Sequence, residues 1–283
     1  MSATRQPPAL DTRSIEMLLA SRPTDVAQRV RRTLCDIRPC VQATSVRVGE
    51  RPLKAGVIAR LLGGQPSLPQ LSVVASNFGG VPYSERGREP GNVLFLGQIN
   101  FAEVSAELDA GRFPKPAHMP AKGILALDLA DGMSNACVRW YPEPDVVSHV
   151  NPGPVPSSGK YEAAIAFAGG WSLKGLDWYT AVPQGDGELW EALMDFDRGE
   201  VDGHHHDRHH KLFGHTDEIL NEFFDVERAR RGSRPEDYVQ VWRITFDNEA
   251  GFSWGTNWLY VLLHRDHLAT GDFAKAIVMV ANA

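Results

Sequence analysis

The most conspicuous chemistry in this sequence is GHHHDRHH, which places His204, His205, His206, Asp207, His209 and His210 within residues 204–210. On a helix, His205 with His209 and His206 with His210 would stand one turn apart, the spacing that a pair of metal ligands needs. Zinc or nickel would suit such a set, with Asp195, Asp197, Asp202 or Asp207 as nearby carboxylates. Gly203 and the acidic DFDRGEVDG before it favour a loop instead, and a histidine tract in a loop chelates only loosely. The expectation is a solvated polar loop without a resident cofactor. A zinc site of His205, His206, His209 and His210 is the alternative. DFDRGEVD is not a calcium loop, because its twelfth position is His206 rather than a bidentate glutamate and its glycine is misplaced.

His210 and Lys211 also open the segment HKLFGH. An imidazole and an ammonium side by side can hold an anion or a carboxylate. The reading favoured over this is a strand entry whose histidine caps backbone carbonyls, since no paired acid or nucleophile accompanies them. The chain has no GxSxG elbow, and Cys35, Cys40 and Cys137 carry no catalytic signature with His and Asn. It also lacks a GxxxxGK[ST] phosphate loop, and neither GGQPSLP nor SNFGGVP forms a dinucleotide fingerprint. All seven tryptophans fall between Trp140 and Trp258. Trp242 and Trp258 sit in strand patterns and read as core. WSLKGLDWYTAVPQGDGELW interleaves Trp171 and Trp178 with Gly, Pro and Asp, and is a candidate binding surface.

The elements that must position these groups follow from periodicity. Residues 12–36 read as helical, with Thr12 or Ser14 and then Thr24 as caps, so residues 1–40 form an N-terminal helical segment. After Pro39, VQATSVRV alternates as a half-buried strand does. NFGGVP brings a turn at Gly79 and Gly80, where positive φ is available, and VLFLGQIN is a central strand ending in Gln98 and Asn100. FAEVSAEL reads as a helix. GILALDL and ACVRWYP read as strands joined by a hairpin at Asp131-Gly132. Residues 142–160 hold five prolines and form a loop between halves at 41–141 and 161–283. EAAIAFAGGW, YVQVWRITF, NWLYVLLH and AIVMV supply later strands, with helices over GELWEALMDF and TDEILNEFFDVERARRG. The fold class is α+β, with mixed or antiparallel sheets.

The order of turns and strands repeats. GGVP, VLFLGQIN and GILALDL in the first half match LFGH, YVQVWRITFD and GTNWLYVLL in the second, the pattern of a duplication. Two related sheets would then pack along a seam, and the seam is the expected cleft. Gly79, Gly80, Gln98, Asn100, His210 and Lys211 are the candidate binding residues beside it.

NFGGVP, LFLGQINFAEV, PAKGILALDL, HKLFGH and FSWGTNWLYVLLHRDHLATGDFAKA occur in the order seen in the YwqG-like family, which the chain resembles over about residues 73–283. The resemblance implies a cytosolic α+β unit with no established activity. The chain departs from the family pattern in YSERGREPG after the GGxP turn, at Arg243, and at His215-Thr216.

Composition narrows the function. Of 283 residues, 43% are apolar and 23% charged, which is enough to bury a core. A net charge of −6 with no basic face argues against nucleic acid and anionic membranes. Three scattered cysteines suit a reducing cytoplasm, and no signal h-region or membrane-length apolar run occurs. The reading is a non-catalytic binding or interaction protein with a protein partner, immunity-like by analogy. The alternative is a metal-dependent or anion-binding hydrolase using residues 204–210.

Overall fold

The computed structural model describes residues 12–50, 71–91, 93–130, 135–152, 161–174, 181–198, 210–215, 237–252 and 257–282. The histidines from His204 to His209, Trp178, the Asp131-Gly132 turn and the helix expected from Thr216 lie outside them. Ten strands run in chain order: β1 (Arg38–Glu50), β2 (Asn77–Phe78), β3 (Leu94–Asn100), β4 (Ile124–Ala130), β5 (Asn135–Tyr141), β6 (Tyr161–Ser172), β7 (His210–Phe213), β8 (Tyr238–Ile244), β9 (Asn257–His264) and β10 (Ile277–Asn282). They form one antiparallel sheet in the order β10-β9-β8-β7-β1-β6-β2-β3-β4-β5.

This single sheet replaces the two sheets expected from the sequence. The cause is an exchange of partners. β1 pairs with β7 of the second half, β6 pairs with β2 of the first, and the two long strands pair with each other from Arg38↔Ser172 to Glu50↔Tyr161. Read from either edge, the order is a four-strand meander, a long strand, a long strand and a second meander. The bulges also correspond, between Phe95 and Gly97 in β3 and between Gln240 and Trp242 in β8. β1 begins at Arg38, ahead of Pro39. Pro39 lies one position past the end of β7, so its missing N–H interrupts no ladder bond on that side.

The sheet curls until its edge strands β5 and β10 adjoin, although no ladder joins them among the described residues. Alternate side chains fill the interior: Leu125, Leu127 and Leu129 of β4 meet Leu259, Val261 and Leu263 of β9 in one core cluster. Helix α3 (Phe101–Ala110) caps this core with Phe101, Val104 and Leu108, its N-terminus closed by the Asn100 side chain accepting from Ala102 N–H at 3.0 Å.

The N-terminal helices belong to a second core. The chain breaks before Pro23, giving α1 (Arg13–Leu19) and α2 (Thr24–Leu34). Ile15, Leu19, Val26 and Val30 pack with Leu189 and Leu193 of α4 (Gly187–Arg198). Arg22 locks the arrangement through two bonds to Asp186, at 2.7 and 3.0 Å.

Gly97, just after the β3 bulge, tests the sheet most directly. A Cβ there would stand 2.7 Å from both the Asn77 carbonyl oxygen and the Phe78 ring, so β2 would have to move. Gly97→Ala is expected to cost about 2 kcal/mol in urea unfolding. An unchanged midpoint would mean that β2 is loosely held.

Candidate functional site

The residues singled out by sequence are mostly consumed by the fold. His210 is fully buried. Thr245 N–H donates to its Nδ1 at 3.3 Å, so Nε2 carries the proton and donates to Asp247 Oδ2 at 2.8 Å. Asp247 Oδ1 accepts from the N–H groups of Glu249 and Ala250, at 2.8 and 3.0 Å. Burial raises the Asp247 pKa, but the His210 and Ser45 hydrogen bonds outweigh it and hold the carboxyl below its ordinary value. Phe78 and Phe252 rings pack against the imidazole. Both ring nitrogens are therefore occupied inside the protein. Ligation of a metal by His210 would require breaking one of these bonds.

Gln98 is likewise buried, accepting from Tyr83 N–H and donating to the Val73 and Ala75 carbonyls. Asn100 caps α3 and donates to the Val74 carbonyl. Gly79 and Gly80 are consecutive left-handed residues, at φ of 66° and 70°, and turn the chain out of β2. Phe213, the last residue of β7, and Gly214 repeat that conformation. Lys211 is buried in a row with Gln42 and Arg243 across β1, β7 and β8. Trp171 packs on Phe113 with ring centroids 4.9 Å apart. Among the described residues, the sequence-selected ones do not converge on one cleft. Among the described residues, no group of three or more His, Cys, Asp or Glu side chains is placed to hold a metal ion.

A cavity of about 660 Å³ lies elsewhere, where β5 passes the connection between α5 (Arg265–Thr270) and β10. One wall is Arg88 and Glu89, the floor is Val138, Arg139 and Trp140, and the far wall runs from Thr270 to Ala274. Trp140 is held from behind by Phe273, with centroids 4.4 Å apart, and by Phe101. Gly123 makes room for it, since a Cβ there would fall 2.2 Å from the indole. Arg139 forks onto Asp128, with Nε to Oδ2 at 2.5 Å and Nη2 to Oδ1 at 2.9 Å, and donates through Nη1 to the Tyr83 carbonyl and the Tyr141 hydroxyl. Burial opposes its charge, but Asp128 prevails and raises its pKa. The loop carrying Arg88 is pinned by Val150 N–H donating to the Ser84 carbonyl at 2.9 Å, so the start of the proline-rich segment packs against the first half.

The hydroxyl and the thiol nearest this cavity are not poised as nucleophiles. Thr270 Oγ1 donates to the Asp266 and His267 carbonyls within its own helix. Cys137 lies one residue before Val138, and burial together with the Asp128 charge pushes its thiol pKa up. What the walls offer is an indole, a proline, two guanidiniums and the Glu89 and Asp272 carboxylates. Sequence reading missed these residues. The signal available was a single acid in GILALDL and a single base in ACVRWYP, which β4–β5 pairing sets diagonally, with Asp128 opposite Cys137 and Ala126 opposite Arg139.

A family model described as a domain of unknown function, DUF1963, matches residues 62–281 and is the YwqG-like family of the resemblance. No curated protein matches the chain. No helix among the described residues is long and apolar enough to cross a membrane.

Two buried groups give measurable expectations. Asp247→Asn places an amide against donors on both sides and is expected to cost about 3 kcal/mol in urea unfolding. A loss near zero would mean the His210–Asp247 pair is not load-sharing. His215 Nε2 donates to the Asp36 carbonyl at 2.7 Å, and burial, with Arg38 nearby, lowers its pKa from 6.5. The unfolded chain therefore takes up this proton first on acidification. The His215 contribution is complete above pH 6.5 and is lost as pH falls below it. Stability measured from pH 7.5 to 5 should fall less steeply in His215→Gln than in the wild type; equal slopes would exclude this origin.

Proposed function

The chain belongs to the DUF1963 family, a domain of unknown function, and from that premise we propose that it is a non-catalytic cytoplasmic protein that binds a segment of a partner polypeptide. The cavity beside β5 carries this reading: about 660 Å³ of space with an indole, a proline and fixed charges of both signs, and with its hydroxyl and thiol neighbours tied up or protonated. Aromatic and arginine groups on a rigid floor are what polypeptide recognition uses. An immunity-like role, neutralising a partner by occupying it, is the form of binding this reading favours.

We also infer that the two halves derive from a duplicated unit. Supporting this, Asn100 N–H donates to Ser76 Oγ where Thr245 N–H donates to His210 Nδ1, and Asn77 faces Gln98 where Lys211 faces Arg243. Superposing residues 76–141 on 210–282 in an experimental structure tests the register. A better fit in another register would count against it.

The binding reading is tested with a random dodecapeptide display library selected on the purified full chain. Selected peptides are expected to bind with micromolar affinity and to lose roughly tenfold with Asp272→Arg, whose side chain caps nothing in the fold. Selected peptides insensitive to Asp272→Arg and Glu89→Arg, or a library that yields no binder, would overturn it.

A further inference from the structure

Arg88 Nη1 donates to the Trp140 carbonyl at 3.3 Å from outside the sheet. That bond reveals which way the β5 backbone faces. In an antiparallel pair, the N–H and C=O of one residue point to the same side and successive residues alternate. Trp140 and, two residues earlier, Val138 therefore present their backbone groups away from β4. Both line the cavity. Among the described residues, the Trp140 carbonyl is the one of these four groups with a partner, and that partner is a side chain.

The Arg88 guanidinium is lightly held. Its side chain is 55% exposed, and its ion pair with Glu85 spans 3.8 Å. Glu85 already accepts from the Tyr83 hydroxyl at 3.0 Å. Exposed contacts of this kind contribute little, so Arg88 can be displaced cheaply. A charged side chain laid over an unpaired strand is a common guard against edge pairing.

Resting on the binding reading above, we propose that the cavity takes an extended, acid-bearing segment of a partner protein as an added strand on β5, displacing Arg88 from the Trp140 carbonyl. The incoming backbone donates to Trp140 C=O and pairs with the Val138 groups. Arg88, deprived of its acceptor, closes on a carboxylate of the incoming segment. Trp140 and Pro142 supply the apolar wall, and Asp272 attracts a basic side chain of the segment on the opposite side, which sets the segment's orientation.

The test uses a selected dodecapeptide that Asp272→Arg weakens. Single N-methylation along that peptide should abolish binding at alternate positions facing β5 and leave the positions between unaffected. Val138→Pro, which removes an outward N–H and no ladder bond to β4, should abolish binding, whereas Val138→Ala, which also loses core packing but keeps the N–H, should retain it. Changing the peptide's acid to its amide should cost roughly tenfold with the wild type and nothing with Arg88→Ala. Uniform tolerance of N-methylation by a peptide that still senses Asp272→Arg overturns strand addition and leaves the binding reading standing. A library with no cavity binder overturns both.

Discussion

The antiparallel pairing of β1 with β6 over twelve positions is the contact on which the rest of the structure depends. Each of these long strands carries on its outer edge the short strand of the opposite half, β7 beside β1 and β2 beside β6. Neither half can therefore close its own sheet. Partners such as Gln42 and Ala168, or Gln42 and Lys211, are far apart in the chain, so the loop-closure entropy falls due before the central pair repays it. Once it forms, the two meanders add outward by local hairpins and the core fills between them.

That central pairing also explains what the motif residues do. The GGVP and HKLFGH segments each leave a short strand beside a long one and must turn at once, which two successive left-handed residues achieve in both places. Polar groups behind those turns would be orphaned in a dry interior, and two of them find partners: Gln98 the Val73 and Ala75 carbonyls, His210 the Asp247 carboxylate. Gln98, Asn100 and His210 thus hydrogen-bond within the fold.

Curling a ten-stranded sheet brings its edges together, and full hydrogen-bonded closure would leave no edge for a ligand to use. Here β5 and β10 adjoin without a ladder among the described residues, and the connection before β10 crosses beside β5 at the level of Trp140. The cavity is the consequence of that incomplete closure. Its charge is balanced locally, with Arg139 neutralised by Asp128 and Glu89 held below its ordinary pKa by its own and the Gly87 backbone N–H groups.

Local pattern by itself determined most of the strands and helices, because apolar runs such as GILALDL and NWLYVLLH and capping around Asn100 are local properties. It also placed the Gly79-Gly80 corner, and the motif order led to the family. Strand pairing was decided only in three dimensions. Nothing in VQATSVRV or EAAIAFAGGW states which neighbour lies on each edge, so two sheets were read where one exists. The role of His210 was hidden for the same reason, since its acceptor Asp247 lies 37 residues away and meets it only through the β7–β8 pairing. The cavity was the least legible feature. Arg88, Trp140 and Asp272 come from three separate parts of the chain, and what brings them together is the curl of the sheet, a sum of small strand twists that no local pattern encodes.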